Sequence, residues 1–243
     1  MKKIQTEHSK GFTMVEMAIV LIFIGLIIAG VIGGRSLVRN SQLLSVSDDL
    51  TKYRTAVTLF EDQYAAFPGD MLDAYSVFDV DATNNICGTN ALAPAGCNGN
   101  GNNVINNGGE DVRSWQHLSL AGILQGRLSG ALVDGNFVPG TNVPQSKIDG
   151  GGYWLHTNTL FGRTDNSIAF ASGGGLNEEI LTTREAWSID AKIDDGVANT
   201  GDVMSVDGVA GCVNTAGPGT INDYRLTTTN TSCIMVFWIN APN

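Results

Sequence analysis

Four aspartates stand close together in the C-terminal third of the chain: Asp190, Asp194, Asp195 and Asp202, in and around AKIDDGVANTGDV at residues 191–203. Hard divalent cations take carboxylate and carbonyl oxygens, and Gly196 supplies a turn that would let these side chains converge on calcium. Asp-Asp-Gly is equally a hairpin turn in which Gly provides positive φ. The segment therefore carries two readings, a calcium loop and a plain turn. Residues 84–107 hold nine Asn and four Gly in 24 residues, with Asn98, Asn100 and Asn102 alternating with Gly99 and Gly101 and Glu110 close behind. No Asp lies among them, so their attraction for a cation is weak, and they read as a surface loop of the kind that carries partner contacts.

The cysteines come in two pairs, Cys87 with Cys97 and Cys212 with Cys233, and neither pair has the spacing of a metal knuckle. Two disulfides are expected, and of the three connectivities the sequential one closes the shortest loops. Such bonds place this part of the chain in an oxidising compartment. The histidines are His8, His117 and His156, and the chain has no H-E-x-x-H, no G-x-S-x-G and no P-loop. Catalysis is not expected. A net charge of -10, with 14 scattered Lys and Arg, also argues against nucleic acid as a partner, because phosphate neutralisation needs clustered cations.

The elements that would position these residues divide sharply in character. Residues 1–11, MKKIQTEHSKG, are polar and basic, whereas residues 12–34, FTMVEMAIVLIFIGLIIAGVIGG, carry one charge, Glu16. At 1.5 Å rise per residue, 23 residues make a helix of about 34 Å, long enough to cross a bilayer with the basic leader inside. Within hydrocarbon an acidic side chain costs a few kcal/mol unless it is paired. Glu16 is then either solvated at the membrane edge or, after cleavage behind Gly11, neutralised by the new amine of Phe12 in its own chain or in a neighbour.

The stretch Gly11-Phe12-Thr13-Met14-Val15-Glu16, followed by an unbroken apolar helix, resembles the processing site of type IV prepilins and of type II secretion pseudopilins. The resemblance implies removal of residues 1–11 by an inner-membrane prepilin peptidase and methylation of Phe12. It also implies pairing of Glu16 with the Phe12 amine of an adjacent subunit. Many pilins have a Pro in the apolar half of this helix, where this chain has Gly25, Gly30, Gly33 and Gly34. The segment 191–203 also looks like a loop of pilin-like heads, among which major pseudopilins bind calcium, and Trp115-Gln116-His117-Leu118 resembles a segment of larger pilin-like proteins.

Beyond Arg35, Leu43, Val46, Leu50, Tyr53, Val57, Phe60, Tyr64 and Phe67 follow at alternating steps of three and four, an amphipathic helix with one face to bury. Pro68-Gly69 ends it, giving one helix over residues 12–67 of about 84 Å. The stripe spans too few heptads for a coiled coil, so it is expected to dock on the chain's own head. In that head, strands are expected at 152–157, 167–171, 186–193 and 232–239, and a short helix at 113–123.

The resulting expectation is an α+β, pilin-like fold: a leader (1–11), a long helix (12–67, membrane half 12–34) and a mainly antiparallel β head (68–243) outside the cytoplasm. The function expected is a structural subunit, minor rather than major given the size of the head, of a type IV pilus or pseudopilus. It would be processed by prepilin peptidase in the bacterial inner membrane and would assemble with other subunits and an assembly platform. The alternative is a single-pass, membrane-anchored binding or adhesion protein that never polymerises.

Overall fold

A computed structural model of the chain describes residues 11–78, 97–106, 109–174, 178–207, 211–214 and 223–240. It contains two units, Met1–Gln42 and Leu43–Asn243. Helix α1, Met14–Tyr64, contributes its first part to one and its last part to the other.

In the first unit residues 17–34 of the helix are apolar all round and nothing in its most hydrophobic stretch is buried, which makes it a candidate membrane span. Its N-terminus is closed by a capping box. The Glu16 carboxylate accepts from the Thr13 backbone N–H at 2.7 Å and from the Thr13 hydroxyl at 2.8 Å, while Glu16 N–H donates to Thr13 Oγ1 at 3.2 Å.

In the second unit α1 buries Val46, Leu50, Tyr53, Val57 and Phe60, the stripe seen in the sequence, against the head of the same chain. Tyr53 is the centre of this contact, edge-on to both Trp115 and Tyr153 with ring centroids 5.0 Å apart in each case. The helix stops at Tyr64. Ala65 has φ 52°, and Phe67 precedes Pro68, which disfavours helical backbone at the residue before it.

The head is an antiparallel sheet with short helices. In chain order the elements after α1 are α2 (Ala74–Val77), α3 (Glu110–Leu120), β1 (Gly151–Leu160), β2 (Arg163–Ser172), β3 (Leu181–Thr182), α4 (Thr183–Ile193), β4 (Val203–Asp207) and β5 (Thr231–Trp238). β1 pairs with β2 over its whole length, and β2 pairs with β5. Phe237 faces Ile168 of β2 on one side and Val203 of β4 on the other, so β4 lies across β5 from β1 and β2. α3 packs on β1, whereas α4 packs on β5, β3 and β4. One face of the sheet joins the main core through Tyr153, Leu155, Ile168, Phe170 and Met235. A smaller cluster of Ala169, Met204, Val236 and Trp238 lies on the other face, where the Arg163 guanidinium stands 4.6 Å from the Trp238 ring.

One expected strand is a helix. Residues 186–193 fall in α4, because Thr182 and Glu185 form a capping box and Ala186, Ile189 and Asp190 bury one helical face. The Thr-x-x-Glu signal was present in the sequence and outweighs the β-propensity of the residues that follow.

Candidate functional site

The residues singled out in the sequence fall into three separate places. The first is the start of α1, where Gly11, Phe12 and Glu16 are exposed, Phe12 to 80%. Thr13 is the residue here that sequence reading passed over. Thr-x-x-Glu ahead of an apolar run is a helix-start signature, and it keeps the Glu16 charge hydrogen-bonded within its own helix end. Residues 1–10, most of the leader, lie outside the described residues.

The second place is the loop after α4. Asp190, Asp194 and Asp195 each present a carboxylate oxygen within 4.8 Å of the others. Donors from the loop and from Tyr224 already converge on them. Asp190 accepts from Gly196 N–H at 3.1 Å and from the Tyr224 hydroxyl at 2.7 Å, Asp194 from the N–H groups of Asp202 and Val203, and Asp195 from Val197 N–H and the Thr200 hydroxyl. A carboxylate offers about four lone-pair directions, so these bonds pin the loop and still leave oxygen sites that a hard cation would use. Asp190 is fully buried, and burial first, then Asp195 and Asp194, push its carboxyl up to about 7, while the Tyr224 and Gly196 donors pull the other way.

Asp202 does not join this set. Its Oδ2 lies 2.9 Å from Nη1 of Arg54, and its Oδ1 is 4.0 Å from Arg163. Arg54 also donates through Nε to the Ile239 carbonyl at 2.9 Å, so α1, the acidic loop and the end of β5 meet at one guanidinium. Arg54 and Tyr224 organise this region, and no local pattern marks either, since both partners are distant in the chain.

The third place surrounds the cysteines and α3. Cys212 and Cys233 are joined, with Cα atoms 5.0 Å apart. Cys97 is disulfide-bonded and buried, while Cys87 lies outside the described residues. The described part of the Asn-Gly stretch is folded around two carboxylates. Asp70 accepts from the N–H groups of Gly101, Asn102 and Asn103, and Glu110 from those of Asn100 and Asn106. Glu110 thus serves the loop as an acceptor for backbone. His117 is buried, takes the Gly69 N–H on Nδ1 at 2.9 Å and has the Cys97 carbonyl 2.8 Å from Nε2. Burial pushes it down to about 4, so at neutral pH it is uncharged and joins three segments as a structural group.

No known protein family matches the chain, and no curated protein or solved structure does.

Proposed function

We propose that the chain is a pilin-like structural subunit, a minor one, of a type IV pilus or a type II secretion pseudopilus, anchored in the bacterial inner membrane and assembled through its N-terminal helix. The observation that carries this reading is Glu16. It is the one charged side chain in residues 12–34, it stands at the start of a helix whose apolar side chains are exposed, and it follows Gly11-Phe12 by four residues. A simple anchor needs Glu16 only as the acceptor of its capping box, a role Gln would also fill, whereas a filament uses its charge as the partner of an incoming amine. In this reading prepilin peptidase cuts behind Gly11, the head faces the periplasm, and neighbouring subunits pack helix on helix on an assembly platform.

The test has two parts. Mass spectrometry of the mature chain is expected to show methylated Phe12 as the first residue, and recovery of intact Met1 from cells with active prepilin peptidase would sink the processing claim. Glu16→Leu is expected to keep processing and membrane insertion but to reduce recovery in sheared filaments. Equal incorporation removes the role of Glu16. Absence of even the wild type from every filament fraction favours a membrane-anchored binding protein instead.

A further inference from the structure

The charges that follow the apolar part of α1 are both cations. Between Glu16 and Asp48 the chain carries no acid and only two bases, Arg35 and Arg39, in a protein with 24 acids against 14 bases. All four residues lie on the one continuous helix α1. A separation of four puts the two arginines on one helical face, one turn and about 6 Å apart along the axis. Arg35 is exposed and Arg39 partly so. Between them Leu37 and Val38 are 72% and 60% exposed, so the helix still presents apolar side chains outward beyond residue 34.

Distance along the helix sets the depth of these groups. Residues 17–34 rise about 27 Å, close to the hydrocarbon thickness of a bilayer at about 30 Å. With that run in the hydrocarbon, Arg35 stands at its boundary and Arg39 about 6 Å beyond, within a headgroup layer of about 5–7 Å per leaflet. The long stem of Arg lies along apolar surface while its guanidinium reaches that layer. There the planar fork matches a phosphate through two parallel hydrogen bonds.

We propose that Arg35 and Arg39 together bind the phosphate headgroups of anionic phospholipids in the leaflet on the head side of the membrane. Charge decides the occupant. Residues 43–243 hold 22 acids and 9 bases, so an anionic surface repels the head, and the two arginines are the cations that follow the apolar run directly. The bias of cations toward the cytoplasmic side makes both costly to export, and the lipid contact offsets that cost. The contact rests on the membrane-anchored reading above. It adds a lipid-binding collar that fixes the depth of the helix and that a subunit leaving for a filament has to break.

The experiment reconstitutes the full chain at low density in phosphatidylcholine vesicles and follows spin-labelled phosphatidylglycerol and phosphatidylcholine by electron paramagnetic resonance. The fraction of each lipid held at the protein surface gives their relative affinity. Each arginine beside an anionic headgroup favours it about fivefold, so wild type is expected to prefer phosphatidylglycerol at least about fivefold. Arg35→Gln/Arg39→Gln is expected to lose the preference, and Arg35→Lys/Arg39→Lys to keep part of it through charge without the fork. Neither position belongs to the hydrophobic core of the head. No preference in wild type, or an equal preference in the Gln variant, overturns the contact. Loss of the Gln variant from sheared filaments with no lipid preference in wild type assigns the arginines to acids of a neighbouring subunit instead. A chain that stays outside the vesicles and restricts neither lipid removes the membrane span on which the contact rests, a separate failure.

Discussion

Arg54 and Asp202, separated by 148 positions in the chain, are joined at 2.9 Å in the folded head. The pair draws Asp202 away from Asp190, Asp194 and Asp195 and fastens the acidic loop to α1. A carboxylate that composition would place with its neighbours instead answers to the nearest guanidinium.

Both partners are partly exposed, so the ion pair itself contributes about 0–1 kcal/mol, and the bond to the Ile239 carbonyl adds about 1 kcal/mol. Arg54→Ala is expected to destabilise the head by about 1–2 kcal/mol in urea unfolding of the full chain in detergent, followed by tryptophan fluorescence. Asp202→Asn, which keeps the backbone bond of Arg54, is expected to cost less. Equal costs would mean that the carbonyl bond contributes nothing.

Asp190 sets a pH dependence of definite sign. Its carboxyl titrates near 7 in the folded chain and near the ordinary 3.9 when unfolded. The folded state therefore holds the proton more tightly, and this stabilisation is full below about pH 4 and lost as pH rises through 7. Asp190→Asn keeps an acceptor for Tyr224 without the charge. Its stability relative to wild type is expected to rise between pH 4 and pH 8 in melting curves, and a constant difference would show that Asp190 has an ordinary carboxyl.

The three clustered carboxylates make a prediction about calcium. A cation held by Asp190, Asp194 and Asp195 stabilises the folded state by about 2.7 kcal/mol at a hundred times its Kd. Millimolar calcium is expected to raise Tm at neutral pH, and Asp195→Asn is expected to remove most of the rise. No shift and no heat of binding would leave these side chains as acceptors for the loop alone.

Gln116 on α3 is buried, and neither atom of its amide has a hydrogen-bond partner in the described structure. A buried, unsatisfied amide costs about 1–3 kcal/mol, and replacing it with an apolar group of similar shape removes that cost. Gln116→Met is expected to stabilise the head by about that amount in urea unfolding. Destabilisation would show that the amide is satisfied in solution.

The features legible in the linear chain were those that depend on neighbours a few positions away. The apolar run of residues 12–34, the stripe from Val46 to Phe60 on α1, the β1–β2 region and the final strand all announce themselves through composition or periodicity, because burial on one face needs a repeat of about 3.6 or 2. The capping boxes at Thr13 and Thr182 were equally local and equally readable, and overlooking the second turned α4 into an expected strand. The grouping of side chains was a different matter. That Asp202 would leave the acidic cluster for Arg54, that the Tyr224 hydroxyl would donate to Asp190, and that Asp70 would gather the N–H groups of an Asn-Gly loop 31 to 33 residues later were decided by which segments the tertiary fold brings together. The reason is electrostatic and geometric. A carboxylate is satisfied by whichever donors surround it in a desolvated space, and that space is made by segments distant in the chain: α1 and the end of β5 around Asp202, α4 and the segment before β5 around Asp190.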